Sequence, residues 1–456
     1  MKPYLRPLFV SVLCAFIAPA STFAAPSSLV QEVQQWKKQG QKPNTALLAK
    51  VREQFNLNPR DTKTRQALKE LYAASTAGSL QEKELNTYRL LNLDPQNVGY
   101  RNSLSRLLYQ KHGGASQTQV KEAYRHLNDA FNAWDAGKIE AALDLFQKAR
   151  LAKSAELNAI LAYHLRDAGK VAEAKAVLSN FKGDKSYLNA FADMQKQINQ
   201  AEQVIASRLP ESEKLLARLH LGQYDAITTA LNNLEPSPQR SWLEAKFHEK
   251  RGEYHPASRA YLDYYQRKHL DKMPGYTPVI YKAQLEDVNS LDLIALKFRT
   301  SPALIRQVNQ LQQQEWVDTY RMLIVPVKPR LLHFPTTGYV SSHFGYRLHP
   351  IRGTWRLHEG VDIETLPGVD AEAAHNGKVL QAMFDKACGN MVKLSHAELG
   401  INTAYCHGEK LKVKAGQEVQ QGQSVIETGN TGASASNHLH FGVQQKGTYI
   451  DPMDWL

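Results

Sequence analysis

Histidine and aspartate residues near the C-terminal end of the chain are spaced as metal ligands often are. His358 and Asp362 are four residues apart, so either an α-helix or a β-strand would place both side chains on one face. The intervening Gly360 and Val361 oppose a helix, and the last position of the motif is an aspartate. An extended segment, with Glu359 pointing away, is therefore favoured over a helical HExxH zinc site.

Two further segments contribute histidines. His438 and His440 alternate with Leu439 and Phe441, a pattern typical of a strand whose histidines share one face while its apolar residues face the core. His407 lies at the end of another predicted strand. Three separate segments thus supply four histidines and one aspartate. A tetrahedral Zn²⁺ bound by two imidazoles and one carboxylate keeps its fourth position open for water, which is the catalytic pattern.

The joint pattern resembles the lysostaphin/LytM-type zinc endopeptidases of peptidoglycan. The matching runs occur in the family's order: Ser341-Ser-His-Phe-Gly-Tyr-Arg-Leu-His-Pro350, His358-Glu-Gly-Val-Asp362, Tyr405-Cys-His407, Gly429-Asn-Thr-Gly432 and His438-Leu-His-Phe441. The resemblance implies that His358, Asp362 and His440 bind Zn²⁺. It also implies that His407 and His438 act beside the metal as catalytic residues. Ser436-Asn437 stands where Gly-Pro commonly precedes the last motif, which affects loop shape and not the metal ligands.

The resemblance implies hydrolysis of a peptide cross-link of peptidoglycan, with D,D-endopeptidase activity favoured over cleavage of glycine bridges. Zinc-activated water would attack the amide while neighbouring imidazoles transfer protons. A cysteine-protease pair of Cys406 and His407 is disfavoured, because adjacent strand residues point to opposite faces. The alternatives are a non-catalytic LytM-type activator of a cell-wall amidase and a cell-wall scaffold acting through upstream helical repeats. The complete ligand set favours the enzyme.

The residues of this constellation must be positioned by the region 331–456. Frequent glycines and short alternating runs predict a mostly antiparallel β domain there, which the resemblance implies is a zinc metallopeptidase domain. Cys388 opens one predicted strand and Cys406 ends the next, so antiparallel pairing would bring the two residues opposite each other. We therefore expect a disulfide, with two buried thiols as the alternative interpretation.

Upstream of this domain, residues 276–328 predict a small α+β unit of strand, helix, helix and strand. Ser301 is the expected N-cap of its second helix. The order of elements, with Asn309 and Ile324-Val325-Pro326, resembles a LysM module, a class that binds N-acetylglucosamine-containing glycans. Glu286-Asp287 stands where Gly-Asp is usual, so glycan binding and a structural spacer both remain open.

The region 25–275 is predicted to be an α-helical repeat of solenoid type. Gly137-Lys-Ile-Glu-Ala-Ala142 is echoed by Gly169-Lys-Val-Ala-Glu-Ala174, and Gly222-Gln-Tyr-Asp-Ala226 by Gly252-Glu-Tyr-His-Pro-Ala257. These intervals are close to the ~34 residues of tetratricopeptide repeats, which the pattern resembles. The helical repeats would serve either as a surface for a protein partner or as a spacer.

Composition and the first residues of the chain place the protein in a broad class. The 456 residues allow several domains, and 43% hydrophobic with 22% charged residues indicate a globular protein. The net charge of +12 is spread along the chain and does not indicate nucleic-acid binding. Residues 1–24 resemble a signal peptide. We therefore expect an exported, periplasmic, cell-wall-associated protein with no membrane span after cleavage.

Overall fold

The computed structural model describes residues 26–40, 45–75, 78–181, 188–311, 317–318, 320–348 and 355–456. The predicted signal peptide lies outside these ranges. Among the described helices, none combines the length and the apolar character that crossing a membrane requires.

The N-terminal region is helical throughout its described part, as predicted. Its helices are α1 (Pro26–Lys38), α2 (Thr45–Leu57), α3 (Thr62–Ala74), α4 (Leu80–Leu93), α5 (Val98–Lys111), α6 (Gln117–Asp135), α7 (Ile139–Ala149), α8 (Ala155–Asp167), α9 (Val171–Ser179), α10 (Leu188–Ala206), α11 (Glu211–His220), α12 (Tyr224–Asn233), α13 (Pro238–Lys250) and α14 (Tyr254–Lys268). Most helices that follow one another in sequence pack together, most extensively α6 on α7 and α13 on α14.

The repeated glycines lie in the turns between paired helices. Gly137 joins α6 to α7 with φ 71°, and Gly169 joins α8 to α9 with φ 78°. Glycine adopts this left-handed backbone without the strain of a side chain. Ala142 and Ala174, in the helix that follows each turn, are fully buried, so their small side chains allow close packing. The helix–turn–helix interpretation of these two repeats therefore agrees with the structure, whereas their assignment to the tetratricopeptide family stays a prediction.

The second unit has the predicted order of strand, helix, helix and strand. It consists of β1 (Thr277–Lys282), α15 (Leu291–Lys297), α16 (Pro302–Asn309) and β2 (Met322–Val327). β1 and β2 pair in antiparallel fashion. Ser301 caps α16, because its hydroxyl accepts a hydrogen bond from the backbone N–H of Ala303. The likeness to LysM modules and glycan binding by this unit remain predictions.

The C-terminal region is a mostly antiparallel β domain, as predicted. Its strands are β3 (Tyr339–Ser342), β4 (Gly345–Leu348), β5 (Trp355–His358), β6 (Val361–Glu364), β7 (Asp370–Glu372), β8 (Gly377–Asp385), β9 (Gly389–His396), β10 (Ile401–Gly408), β11 (Lys410–Leu411), β12 (Glu418–Val419), β13 (Ser424–Glu427), β14 (His438–Gln445) and β15 (Thr448–Ile450). The main sheet has the order β12-β8-β9-β10-β14-β6-β3-β1-β2, with β15 on β14.

This sheet order joins the second unit to the C-terminal domain. β1 pairs in parallel with β3, at Tyr281 opposite Val340, so the antiparallel pair of β1 and β2 extends the sheet of the C-terminal domain. A single buried apolar cluster includes residues from both units, among them Phe298 and Phe441. The second unit is therefore packed into the sheet and core of the domain that follows it.

The helical region packs on the second unit through aromatic and charged residues. The Tyr320 ring stacks on Phe131 of α6, with ring centroids 3.6 Å apart. The Lys282 ammonium donates a hydrogen bond to the Asp135 carboxylate at 3.3 Å. The same ammonium lies 3.6 Å from the centre of the Tyr254 ring of α14. Desolvated cation–π contacts of this kind contribute about 2 kcal/mol.

A buried arginine connects all three regions. The Arg299 guanidinium donates hydrogen bonds of 2.8 Å to the carboxylates of Asp451 and Asp454 near the C-terminus, and one of 2.8 Å to the Asn92 side chain on α4. The Arg299 side chain is fully buried. If one region moved away, a charged group of this buried network would lose its partner, and an unpaired buried charge is strongly destabilising. These contacts therefore hold the three regions in one arrangement.

Cys388 and Cys406 form a disulfide, and this agrees with the sequence expectation. The bond joins Cys388, directly before β9, to Cys406 in β10, with a sequence separation of 18 residues. A crosslink over a loop of this length contributes ~3 kcal/mol by restricting the unfolded chain.

We expect the Cys388→Ala/Cys406→Ala variant to unfold at a temperature several degrees lower than the parent protein in calorimetry. Peptide mapping should first confirm that the disulfide is formed in the parent protein. An unfolding temperature equal to the parent's in the double variant would then contradict this expectation.

Buried histidines make the helical region sensitive to acid. Burial lowers the pKa of His112 to about 3 and the pKa of His164 to about 4. Because the folded pKa values lie below the unfolded value of ~6.5, the unfolded state binds more protons between pH 6.5 and 4. We therefore expect the free energy of unfolding to fall as the pH falls through this window.

Urea unfolding at pH 7.5, 6, 5 and 4, followed by circular dichroism, measures this dependence. The matched variant is His164→Phe, because the His164 ring already packs among aromatic rings, 4.0 Å from Phe146 and 4.6 Å from Trp134. This variant should show a shallower dependence on pH than the parent. Equal slopes for the two proteins would show that His164 contributes nothing to the acid response.

Candidate metal centre

Two neighbouring strands carry most of the candidate ligands. β6 pairs in antiparallel fashion with β14, and this register sets Asp362 opposite His440 and Glu364 opposite His438. Residues that face each other across two strands project to the same side of a sheet. Alternation along each strand then places all four polar side chains on one face. Leu439 of β14 is buried in the core, as the sequence predicts.

His358 joins this face from the end of β5, where a tight connection leads into β6. The Nε2 atom of His358 lies 3.0 Å from Oδ1 of Asp362 and 3.1 Å from Nδ1 of His440. The His440 Nδ1 atom lies 2.9 Å from the same carboxylate oxygen. Three candidate ligand atoms therefore converge on one point.

The donor set fits a zinc ion. Two imidazole nitrogens and one carboxylate oxygen are the ligands that catalytic zinc sites use. Atoms bound ~2.0–2.2 Å from a tetrahedral zinc lie about 3.3 Å from one another, close to the spacing observed here. His358, Asp362 and His440 form a group that could hold a metal ion.

Contacts behind the ligands fix their orientation. The Nδ1–H of His358 donates a hydrogen bond of 2.9 Å to the backbone carbonyl of His343, which leaves Nε2 free as a ligand atom. The Arg347 guanidinium donates to Oδ2 of Asp362 at 3.4 Å, away from the convergent oxygen Oδ1. Arg347 lies in the matched run of residues 341–350, and its side-chain role was not predicted because it depends on the pairing of β4 with β5.

The electrostatics give the ligands the protonation states that metal binding requires. Burial, with a smaller effect of Arg347, lowers the pKa of His358 to about 4. Burial alone would raise the pKa of Asp362, but the neighbouring imidazoles of His358, His440 and His438 hold this pKa well below its usual range. Neutral imidazole and ionised carboxylate are the forms that bind zinc.

His407 and His438 lie beside the three convergent residues. The ring centroids of His407 and His438 are 4.7 Å apart, and those of His407 and His440 are 6.0 Å apart. The His407 Nδ1–H donates to the Thr431 carbonyl at 2.9 Å. The His438 Nε2 atom lies 3.7 Å from Oδ1 of Asp362. Burial, followed by the influence of His438, lowers the pKa of His407 to about 4.

The structure corrects one argument about Cys406. Strict alternation would aim Cys406 and His407 at opposite faces of the sheet. Instead, Cys406 pairs across strands with His440, on the face of the metal centre. His407 has a left-handed backbone, φ 69°, where the register between β10 and β9 shifts, and this irregularity interrupts the alternation. Cys406 is unsuited to act as a nucleophile because its sulfur is bonded to Cys388.

Comparison with known proteins agrees with this geometry. Residues 356–452 match the model of peptidase family M23. We call the C-terminal β domain that contains this match the M23 domain. The match contains all five histidine and aspartate residues of the centre: His358, Asp362, His407, His438 and His440.

The M23 domain is similar to parts of larger proteins. It is 35% identical over 114 residues to the DD-carboxypeptidase/endopeptidase Mpg of Neisseria meningitidis serogroup B, covering 25% of this chain and 26% of that protein. The peptidoglycan DD-endopeptidase ShyC of Vibrio cholerae gives the same identity, length and shares. A zinc-containing peptidase structure from Vibrio cholerae is 28% identical, with a TM-score of 0.26 over 29% of this chain and 43% of that one. The chain thus spans about a quarter of the length of these two named relatives.

Gly360 of the M23 domain leaves room for the His440 ring. A methyl group at Gly360 would lie 2.8 Å from two atoms of that ring and 2.4 Å from the Phe441 carbonyl oxygen. We expect Gly360→Ala to displace His440 and to weaken zinc binding by at least about tenfold. Titration against a competing chelator measures the affinity, and thermal unfolding of the same sample shows whether the fold persists. A folded variant with the parent's affinity would contradict this expectation.

Proposed function

We propose that the protein is an exported, zinc-dependent peptidoglycan endopeptidase that hydrolyses peptide cross-links. The observation that carries this proposal is the convergence of His358, Asp362 and His440 in an M23 domain, with His407 and His438 beside them. We infer that the first three bind Zn²⁺ and that the last two are catalytic residues.

The proposed chemistry requires a proton acceptor close to the metal ligands. Zinc, when bound, lowers the pKa of a coordinated water towards ~7 and polarises a carbonyl group. His407 and His438 each have a backbone carbonyl as the partner of Nδ1, so the neutral form of each imidazole presents an unprotonated Nε2. Such a nitrogen can accept a proton from the attacking water, and the resulting imidazolium can donate to the developing oxyanion or to the leaving amine.

The proposed substrate is the D-alanyl–diaminopimelate cross-link. One relative is named a DD-carboxypeptidase/endopeptidase and another a peptidoglycan DD-endopeptidase. The signal-like residues 1–24 and the Cys388–Cys406 disulfide support an oxidising compartment outside the cytoplasm, such as the periplasm. Glycan binding by the second unit and a protein partner for the helical region are further proposals of the same kind.

Purified cross-linked muropeptide dimers provide the direct test. The zinc-loaded full-length protein should convert dimers into monomers, and a chelator should stop the reaction. Product masses should show addition of one water at the bond between D-alanine and diaminopimelate. If dimers stay intact while an added amidase is stimulated, the protein is an activator and the proposed function is wrong.

A further inference from the structure

A glutamate outside the five metal-centre residues lies on the same face of the sheet. Glu364 follows Asp362 by two positions on β6, so both carboxylates project to one side. Across the strand pair Glu364 stands opposite His438. The mechanism above gives Glu364 no part.

The Glu364 carboxylate accepts hydrogen bonds from two hydroxyl groups on opposite sides. The Ser341 hydroxyl, on β3, donates to Oε1 at 3.0 Å. The Ser436 hydroxyl, in the loop before β14, lies 3.1 Å from both carboxylate oxygens. Because charged acceptors form the stronger hydrogen bonds of proteins, this pair of contacts fixes the loop relative to β3 and β6.

The residue that follows β6, Thr365, holds the same loop. The Asn437 side-chain amide donates to the Thr365 carbonyl at 3.1 Å and lies 2.9 Å from the Thr365 hydroxyl oxygen. Ser436 and Asn437 are the two positions at which this chain departs from Gly-Pro before the last motif. Both departures therefore make hydrogen bonds to consecutive residues, namely Glu364 at the end of β6 and Thr365 directly after it.

Ser436 also contacts the imidazole of His438. Its backbone carbonyl accepts a hydrogen bond of 3.0 Å from Nδ1–H of His438. The Ser434 hydroxyl, which donates to that carbonyl at 2.8 Å, lies 3.2 Å from the same Nδ1. A proton held on Nδ1 leaves Nε2 free on the side of Asp362. The position of the Ser436 carbonyl thus decides which tautomer His438 adopts.

We propose that Glu364 is a positioning residue for His438, acting through Ser436. Its carboxylate holds the Ser436 hydroxyl, the Ser436 carbonyl holds the Nδ1 proton of His438, and Nε2 remains available to the reaction. Its consequence for rate rests on the proposed function, whereas its consequence for the tautomer of His438 does not.

Turnover by the full-length, zinc-loaded protein tests the first consequence. Glu364→Ala should lower kcat by about 10- to 100-fold, since small displacements of a catalytic group have effects of this size. KM should change less than about twofold and zinc content should be unchanged. Glu364→Gln should recover most of kcat, because its amide oxygen still accepts from Ser436. Glu372→Ala, on β7, is the matched surface control.

A double-mutant comparison separates positioning from a general structural role. In the His438→Ala background, Glu364→Ala should cause no further loss, because the residue through which it acts is absent. The same additional loss in both backgrounds, or loss of zinc from Glu364→Ala, would overturn the proposal.

The tautomer is measured without turnover, by long-range ¹H–¹⁵N correlation spectra of the full-length protein labelled in its histidine rings. The His438 signals are identified by their absence in His438→Ala. The parent should show the proton on Nδ1, and Glu364→Ala should show a mixture of tautomers. If Glu364→Ala shows the same His438 tautomer as the parent, the inference is overturned. If the tautomer changes in Glu364→Ala but the parent protein cannot hydrolyse dimers, only the proposed function is refuted.

Discussion

His440→Ala should lose both zinc and hydrolytic activity. The change removes the proposed ligand atom of β14 and leaves the other two proposed ligand atoms, Nε2 of His358 and Oδ1 of Asp362, 3.0 Å apart. Two remaining protein ligands retain zinc poorly, since binding at such sites depends on the complete set. We expect elemental analysis after desalting to find little zinc, and muropeptide digestion to fall to background.

The His440 variant needs a control for the loss of any histidine from this domain. His375→Ala provides it, because His375 is only half-buried and lies outside the metal centre. This control should keep zinc and turnover. Circular dichroism should show both variants folded, since the buried residues of β14, Leu439 and Phe441, are unchanged. Full zinc occupancy in His440→Ala would show that the ligand set is assigned incorrectly.

From the sequence alone, side-chain directions could be predicted where they follow from the local geometry of one strand. The alternation of His438 and His440 with apolar residues predicts a strand with its histidines on one face, and β14 has this arrangement. The same local rule failed at His407, because a left-handed backbone interrupts the alternation there. Whether a residue adopts that conformation depends on the register shift between β9 and β10, which no pattern within β10 reveals.

The features that sequence reasoning missed all depend on pairing between distant segments. Glu364 meets Ser341 and Ser436 only because β6 lies between β3 and β14. The extension of the sheet by β1 likewise follows from a crossover that periodicity cannot indicate. Charged contacts such as Arg299 with Asp451 join residues far apart in sequence, and long polar side chains offer too many partners for a single sequence to choose among them.

His407 should affect rate without affecting metal binding. It comes from β10, its Nδ1 is engaged by the Thr431 carbonyl, and it lies outside the three converging ligands. His407→Ala should therefore keep full zinc occupancy while kcat falls about 10²- to 10⁴-fold, the usual cost of removing an acid–base or oxyanion group.

The backbone at His407 determines which second variant is informative. With φ 69°, this position is costly for most side chains, whereas asparagine adopts the left-handed conformation readily. His407→Asn therefore removes the imidazole while preserving the local backbone. If the imidazole is the catalytic group, His407→Asn and His407→Ala should lose kcat to a similar extent and both should bind zinc. Recovery of the parent's rate by His407→Asn would instead assign the loss in His407→Ala to a displaced backbone, and His407 would then have no place in the proton transfer.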